Sequence, residues 1–405
     1  MKIKKKPLSL YIHIPFCKKK CLYCDFLSAP ACGQERESYV KALLREINLM
    51  ARAVKDYEIL SVFFGGGTPS LLNKSQMERI MFAINKEYNL NPDAEITIEC
   101  NPATADLDKL SFYRECGINR LSIGLQSAND EELKGLGRIH SYGQFLDTFE
   151  SARKAGFTNI NIDIMSALPG QTYESYVDTL EKVIALNPEH ISAYSLIIEE
   201  GTPFYERYGN AVDETYPELP AEEVERKMYH ATQKILKKAG YLRYEISNYA
   251  KKGYECRHNL TYWTGIDYLG MGIGAASYLQ GFRFKNCTDR GEYTGFFLRE
   301  NTISLSKTKL EGGHEDAIFH PLHEEIQNLS LEERMEEFMF LGLRLKRGIS
   351  IAEFVRQFGK IPDEVYPGII ERLHNEKLLL CKNGRIFLSK KGTDVANYVM
   401  AEFIL

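Results

Sequence analysis

Over its first 200 residues, the chain alternates short apolar runs with longer amphipathic stretches. Six runs have the length and composition of buried strands: Leu8 to Ile14, Ile59 to Phe64, Glu95 to Glu99, Arg120 to Leu125, Asn159 to Ile164, and His190 to Leu196. Between them lie segments with a helical period, such as Ser38 to Ala53 and Ser75 to Tyr88, with Gly or Pro at the turns. This order predicts an α/β fold in which parallel strands and crossover helices form a partial (β/α)6 barrel.

The pattern changes near residue 325. Ser330 to Leu341 has the pattern of a helix rich in Glu, Arg and Leu, with a serine cap and Glu333 three residues on. It is followed by a second helix over Ile349 to Phe358 and by hairpin strands over Leu378 to Cys381 and Ile386 to Leu388. This order predicts a smaller α+β domain that resembles a winged helix. We expect three parts: a barrel core over 1–205, an extension of the barrel over 206–325 and the winged-helix-like domain over 326–405.

The composition is that of an ordinary globular protein, with 405 residues, 44% hydrophobic residues and a formal net charge of −4. No basic stripe follows the short run Lys2 to Lys6, so the charge does not fit a general nucleic-acid binder. No apolar run reaches transmembrane length. The apolar run after the lysines is too short for a signal peptide. We therefore expect a cytoplasmic protein without a transmembrane segment and without a nucleic-acid partner.

Three of the nine cysteines lie together, in Cys17-Lys-Lys-Lys-Cys21-Leu-Tyr-Cys24, directly after the first predicted strand. An iron–sulfur cube normally takes four thiolates, so three leave one iron open to another ligand. The intervening lysines place positive charge beside the thiols, which lowers their pKa and offsets an anionic cluster. One alternative is zinc, although a structural zinc site needs four ligands and no further Cys or His pair at zinc spacing follows. The other alternative is Cys32 as a fourth cluster ligand.

Polar residues and glycines follow the other predicted strands. Gly65-Gly66-Gly67-Thr68-Pro69 comes after the second strand, where missing side chains let a ligand approach backbone N–H groups; a plain strand-to-helix turn is the alternative. Glu99 and Gln126 stand at the ends of the third and fourth strands, and Asp163 near the end of the fifth. Because active sites of such barrels form where the strands end, we expect these residues to share one ligand site with the cysteine loop.

The cysteine spacing, three residues and then two, resembles that of the radical S-adenosylmethionine (SAM) superfamily. Tyr11-Ile-His-Ile-Pro-Phe-Cys17, Phe64-Gly-Gly-Gly-Thr-Pro-Ser70 and Leu121-Ser-Ile-Gly-Leu-Gln-Ser127 look like its oxygen-independent coproporphyrinogen oxidase branch, and the resemblance covers nearly the whole chain. It implies a radical SAM barrel with a [4Fe-4S] cluster on Cys17, Cys21 and Cys24, and SAM on the fourth iron. It also implies SAM contacts from Tyr11, Tyr23, Gly66, Gly67, Thr68, Glu99, Gln126, Arg138 and Asp163.

That branch contains porphyrinogen oxidases and heme chaperones of the HemW type, and two features favour the chaperones. The oxidases resembled carry a further cysteine two residues past the third cluster ligand, where this chain has Phe26. They also have a substantial extension before the first strand, whereas about seven residues precede it here. An enzyme that must shield a reactive porphyrinogen from water needs such cover.

A second motif, His258-Asn259-Leu-Thr-Tyr262-Trp263, is similar to the heme-binding signature of HemW-type chaperones. Histidine is a common axial ligand of heme iron, and the two aromatic rings offer flat apolar faces to a porphyrin. A packed aromatic cluster around a structural histidine is the alternative. Cys256, two residues upstream, is another candidate ligand.

The resemblance implies a heme chaperone that binds heme and a SAM-ligated [4Fe-4S] cluster. Such a protein would deliver heme to apo-hemoproteins such as respiratory cytochromes, and cluster assembly could bring two copies together as a homodimer. The alternative is an oxygen-independent coproporphyrinogen III oxidase, which would decarboxylate its substrate through a SAM-derived radical. Whether the chain is an enzyme therefore stays open on sequence alone.

Overall fold

The computed structural model describes residues 5–209, 215–299, 305–308 and 317–405. Within these ranges, twelve strands form one sheet. Its centre is six parallel strands in chain order: β1 (Lys6–Ile14), β2 (Tyr57–Gly66), β3 (Leu90–Cys100), β4 (Arg120–Gln126), β5 (Ile160–Ser166) and β6 (His190–Ser195). These are the six predicted strands, and the α/β fold class is confirmed. The main difference is β3, which begins earlier than its apolar run.

Helices connect the parallel strands and cover the sheet: α1 (Gly33–Met50), α2 (Lys74–Glu87), α3 (Leu107–Glu115), α4 (Asp130–Gly135), α5 (Tyr142–Lys154) and α6 (Tyr173–Ala185). Polar N-caps set where several of them begin. The side chains of Asn73, Ser141 and Thr172 each accept a hydrogen bond from the backbone N–H three residues on. The first predicted helix is displaced, because α1 ends at Met50 and Ala51–Ala53 continue as a 3-10 turn.

The sheet continues on both sides of the six strands. After β6 the chain forms α7 (Pro203–Tyr208), α8 (Glu222–Lys238), β7 (Leu242–Arg243), β8 (Asn248–Ala250), α9 (Arg257–Trp263), β9 (Tyr268–Met271), β10 (Ala276–Leu279), β11 (Phe282–Asn286), α10 (Arg290–Arg299), β12 (Ser306–Thr308), β13 (Ala317–Phe319) and β14 (His323–Asn328). β7 and β8 extend the sheet beyond β6, and β9, β10, β11 and β14 extend it beyond β1. β9 runs parallel to β1, so the barrel has a parallel neighbour that the apolar pattern did not predict.

The C-terminal part has its own core and its own sheet. It consists of α11 (Leu331–Leu343), β15 (Ile349–Ser350), α12 (Ile351–Phe358), α13 (Pro362–Val365), α14 (Ile369–Asn375), β16 (Leu379–Lys382), β17 (Arg385–Leu388), α15 (Lys390–Asp394) and α16 (Ala396–Ala401). The order up to β17 is that of a winged helix, with β15, β17 and β16 antiparallel. The predicted helix over Ile349 to Phe358 is wrong at its start, since Ser350 caps α12 and pairs in β15. The three domain boundaries stay a prediction.

A buried carboxylate ties the added strands to the barrel. Glu46 of α1 accepts hydrogen bonds from the backbone N–H of Gly272 at 2.7 Å, from the Asn286 amide and from the Tyr293 hydroxyl. His320 Nε2 lies 3.3 Å from the same carboxylate. One side chain therefore joins a barrel helix to the turn after β9, to β11, to α10 and to the segment before β14.

Replacing Glu46 by alanine should destabilise the fold by about 3 kcal/mol, because several buried donors lose their common acceptor. The thermal unfolding midpoint of the purified chain measures this loss. Glu150→Ala is the matched control, since Glu150 is exposed and forms a surface ion pair with Lys154, and its effect should stay within about 0.5 kcal/mol. Equal midpoints for the two variants would contradict the role given to Glu46.

Candidate functional site

A cavity of about 490 Å³ opens where the parallel strands end. Its wall brings together most of the residues selected from the sequence: Cys17, Cys21, Tyr23, Cys24, Gly66, Gly67, Thr68, Glu99, Gln126, Arg138 and Asp163. Tyr11 does not line this cavity, and its hydroxyl lies 3.1 Å from His13 Nδ1. We call this space the cysteine cavity. The shared location supports one ligand site, while the role of each residue stays a prediction.

The glycine turn and the cysteine loop approach each other too closely for side chains. The Thr68 N–H donates to the Phe16 carbonyl at 2.7 Å. A Cβ at Gly67 would lie 2.8 Å from that carbonyl oxygen, and a Cβ at Gly66 would lie 2.4 Å from the His13 ring. Gly66 also has a φ of +109°, which disfavours other residues. The glycines are therefore required by the close approach of the two loops, and not only by the strand-to-helix turn.

Two side chains direct hydrogen-bond donors at the cysteine sulfurs. Thr68 Oγ1 lies 3.6 Å from Cys17 Sγ, and an Arg138 guanidinium nitrogen lies 3.7 Å from Cys21 Sγ. A second Arg138 nitrogen donates to Asn101 Oδ1 at 2.9 Å, so this arginine belongs to the wall of the site. Donors and positive charge at these positions stabilise sulfur anions and tune a bound cluster.

The thiols themselves fit an iron–sulfur cluster better than zinc. Burial raises the pKa of the Cys24 thiol to about 11, and the lysine charge that was expected to lower it is the smaller effect. A bound cation is therefore needed to hold the thiolate form. In the described part of the chain, three metal-ligand atoms within 4.8 Å of one another occur only at Glu46, His320 and His323. At least two of the three sulfurs are therefore more than 4.8 Å apart, which is wider than the spacing of sulfurs around one zinc ion, where each Zn–S bond is about 2.3 Å.

Two half-buried carboxyl groups line the same cavity as the cysteines. Glu99 accepts the backbone N–H of Gly66 at 3.2 Å. Burial, and then the charge of Asp163, raise the pKa of Glu99 to about 8. Asp163 accepts hydrogen bonds from Ser122 Oγ and Asn161 Nδ2, and burial raises its pKa as well. Carboxyl groups that ionise reluctantly without a cation are suited to bind a ligand's ammonium group.

Several wall residues were missed by the sequence analysis. Tyr194 of β6 donates to Gln126 Oε1 at 3.1 Å and holds the side chain of a residue whose φ is +72°. Such strain is typical of ligand sites. Asn101 and Ser122 also line the cavity. Asn101 directly follows β3, so inspection of each strand end would have found it, whereas Tyr194 gives no comparable signal.

The second motif lies on α9, against the barrel interior. His258 is 1% exposed, with Nδ1 3.0 Å from Ser61 Oγ and Nε2 2.9 Å from the Tyr262 hydroxyl. Its ring stacks on Phe63 with centroids 5.0 Å apart. Burial lowers the pKa of His258 to about 3, and the charge of Arg120 adds to this. The imidazole is neutral, and iron could reach Nε2 only if the Tyr262 hydroxyl moved.

The remaining motif residues face two different cavities. Asn259 lines the cysteine cavity, whereas Tyr262 and Trp263 line a second cavity of about 960 Å³. Cys256 lines neither, and burial raises the pKa of its thiol to about 12. Cys32 is exposed and also lies outside the lining of the cysteine cavity. The structure therefore gives no support to either cysteine as a ligand.

Comparisons with known proteins agree with this arrangement. The radical SAM superfamily model matches residues 11–183, and the HemN C-terminal domain model matches residues 329–395. Proteins named heme chaperone HemW are similar over nearly their whole length: 36% identity in Lactococcus lactis, covering 99% of this chain and 98% of that protein, and 35% in Bacillus subtilis, covering 98% and 99%. The solved structure of coproporphyrinogen III oxidase (HemN) from Escherichia coli has a TM-score of 0.82 at 25% identity, covering 99% of this chain and 90% of that one.

Gly67→Ala should displace the cysteine loop, since the added methyl overlaps the Phe16 backbone, and overpacking of this kind costs about 1–3 kcal/mol. We expect the variant to retain clearly less iron and sulfide than the wild type after anaerobic reconstitution, measured by chemical analysis. Gly135→Ala is the control, because a Cβ there meets nothing within 4 Å. Full iron and sulfide content in Gly67→Ala would contradict the close approach.

Proposed function

The chain belongs to the HemW family of heme chaperones within the radical SAM superfamily, and we propose that it binds heme together with a SAM-ligated [4Fe-4S] cluster. In this proposal it delivers heme to apo-hemoproteins such as respiratory cytochromes. The supporting observation is the wall of the cysteine cavity, where the three motif cysteines meet the residues expected at SAM and Asn259 of the heme motif.

We assign the cluster to Cys17, Cys21 and Cys24, which would bind three irons as thiolates. Thr68 and Arg138 would donate to the coordinating sulfurs. When bound, the cluster and SAM supply one-electron chemistry.

SAM would occupy the cavity that the cysteines and the two half-buried carboxyl groups line. Glu99 would accept a hydrogen bond from its amino group, and the Gly66-Gly67 backbone would allow its close approach. Gln126 and Asp163 offer further polar contacts. The donor set therefore fits the group that the family binds.

One observation favours the chaperone over the oxidase. Phe26 stands where the resembled oxidases carry a further cysteine, and it is 61% exposed at the edge of the cysteine cavity. A phenyl ring cannot replace a thiol in redox or ligand chemistry. Coproporphyrinogen oxidation remains the second candidate, because the HemN structure shares the fold over nearly the whole chain.

The setting of the protein is also part of the proposal. No helix in the described ranges is long and apolar enough to cross a membrane. All nine cysteines lie in the described ranges and none forms a disulfide, as expected in a reducing compartment such as the cytoplasm, where we place the protein. We further propose that cluster assembly promotes a homodimer, since Phe26 and Ile197 leave exposed apolar surface at the cavity edge.

His258→Ala should weaken heme binding at least tenfold if His258 is the axial ligand, because the iron loses its imidazole. Tyr262→Phe, which frees Nε2 of His258, should bind heme at least as tightly as the wild type. His374→Ala is the control, since His374 is an exposed histidine remote from the motif in sequence. Heme titration followed by absorbance on the anaerobically reconstituted chain measures all three.

The same preparations, supplied with SAM and a reductant, should not convert coproporphyrinogen to protoporphyrinogen. Turnover that is indifferent to His258→Ala would overturn the chaperone and establish the oxidase. Stoichiometric heme binding that depends on His258, with no decarboxylation, would support the proposal.

SAM binding should tighten as pH rises from 6 toward 8, because the ligand's amino group donates to ionised Glu99, whose pKa without the ligand is about 8. Binding below that pH should release a proton from Glu99. Calorimetry of the reconstituted chain, in two buffers of different ionisation enthalpy, measures the release. Glu99→Gln should bind SAM more weakly and with little proton release. Unchanged proton release in this variant would remove Glu99 from the SAM site.

A further inference from the structure

The second cavity, of about 960 Å³, lies between the barrel and the C-terminal core. We call it the Trp263 cavity. Its apolar wall is largely aromatic: Tyr262, Trp263, Tyr268, Tyr278, Phe338 and Phe358. The first four come from the barrel side and the last two from α11 and α12. Walls of this kind bind flat apolar molecules by stacking and edge contacts.

The charged part of the same wall is basic. It contains five arginines and two glutamates: Arg283, Arg334, Arg347, Arg356, Arg385, Glu337 and Glu353. Both glutamates are already paired, Glu337 with Arg283 and Glu353 with Arg356. Within the described residues, Arg334 and Arg347 have no acidic partner. These two guanidinium groups are therefore available to a ligand's carboxylates.

The cavity also borders an unsatisfied donor. Trp263 Nε1 is buried without a hydrogen-bond partner in the described part of the chain, although indole N–H groups usually find one. The ring is held in place by Arg344, whose guanidinium lies 4.3 Å from the ring centroid. A ligand oxygen that reached this nitrogen would satisfy it.

We propose that the Trp263 cavity is the heme site, with the porphyrin between the aromatic walls and its two propionates toward Arg334 and Arg347. This inference rests on the proposed function and extends it, because it assigns half of the site to α11 and the segment before β15, outside the sequence motif. The inference also explains how the motif His258 to Trp263 can contribute to binding in the Trp263 cavity. Tyr262 lines the cavity directly, and His258 lies behind its hydroxyl.

The cysteine cavity is the competing location, and its size and charge make it the weaker match. It is smaller, about 490 Å³, and its wall carries four carboxyl groups and three basic groups: Asp25, Glu99, Asp163, Glu199, Lys19, Lys20 and Arg138. These charges nearly balance, whereas the basic wall of the Trp263 cavity attracts the two propionates of heme. The Trp263 cavity is therefore the better match for an anionic ligand.

The experiment compares ferric heme with its dimethyl ester, in which the propionates are uncharged. Both are titrated by absorbance into the reconstituted full chain, into the double variant Arg334→Gln, Arg347→Gln and into the control Arg226→Gln. Arg226 is exposed on α8 and forms a surface ion pair with Glu222. Circular dichroism confirms that the variants fold.

The double variant should bind ferric heme about tenfold more weakly and the ester unchanged, because only the charged propionates use the two guanidinium groups. The control should match the wild type with both ligands. Unchanged binding of ferric heme, or an equal loss for both ligands, would overturn this location while leaving heme binding intact. A wild-type chain that bound neither ligand would instead refute the proposed function.

Discussion

A buried carboxylate, Glu95 of β3, fixes the relation between the two cavities. It accepts hydrogen bonds from the backbone N–H groups of Arg257 and His258 at 3.1 and 3.2 Å, and so holds the start of α9 against the barrel. Negative charge is favoured at a helix start, and fully buried Arg120 lies close enough to interact with it. Because side chains alternate along a strand, Glu95 and Glu99 share one face of β3. A single strand thus places one carboxylate under the heme motif and another in the cysteine cavity.

A chain of hydrogen bonds connects the same two places by a second route. Cys256 N–H donates to the Tyr244 hydroxyl at 3.3 Å, and that hydroxyl lies 2.8 Å from His190 Nε2. His190 Nδ1 is 2.6 Å from Asn161 Oδ1, and the Asn161 amide donates to Asp163. All donors in this chain can point toward Asp163. The tautomer of His190 with its proton on Nδ1 then satisfies every hydrogen bond in it. The start of α9 and the carboxyl group at the cysteine cavity therefore share one buried frame, which any change at either end must disturb.

The sequence predicts the parts of this structure that depend on local patterns. Apolar runs mark the six parallel strands, since strands covered on both faces are nearly continuous in apolar residues. The cysteine spacing and the glycine turn mark the cysteine cavity. The apolar pattern does not predict β9, because this strand is short and contains Gly270, whose missing side chain lets the chain pass Ala276 closely. The Trp263 cavity is not predicted for another reason: Arg347 comes to it through tertiary packing, and no periodicity records which distant arginine will line the same cavity as a tryptophan.

Whether His258 can serve as an iron ligand, and not only as a structural histidine, depends on the free energies of the bonds exchanged at its ring. Both ring nitrogens are occupied, which is what a structural histidine requires. Yet replacing the Tyr262 hydroxyl at Nε2 by iron costs one neutral hydrogen bond, with a net value of about 0.5–1.5 kcal/mol. Micromolar binding of a ligand corresponds to about 8 kcal/mol. Burial also keeps the imidazole neutral, and the neutral ring is the form that coordinates a metal. The bond to Tyr262 is therefore a modest cost for the proposed axial ligation, and it satisfies the buried nitrogen in the structure without heme.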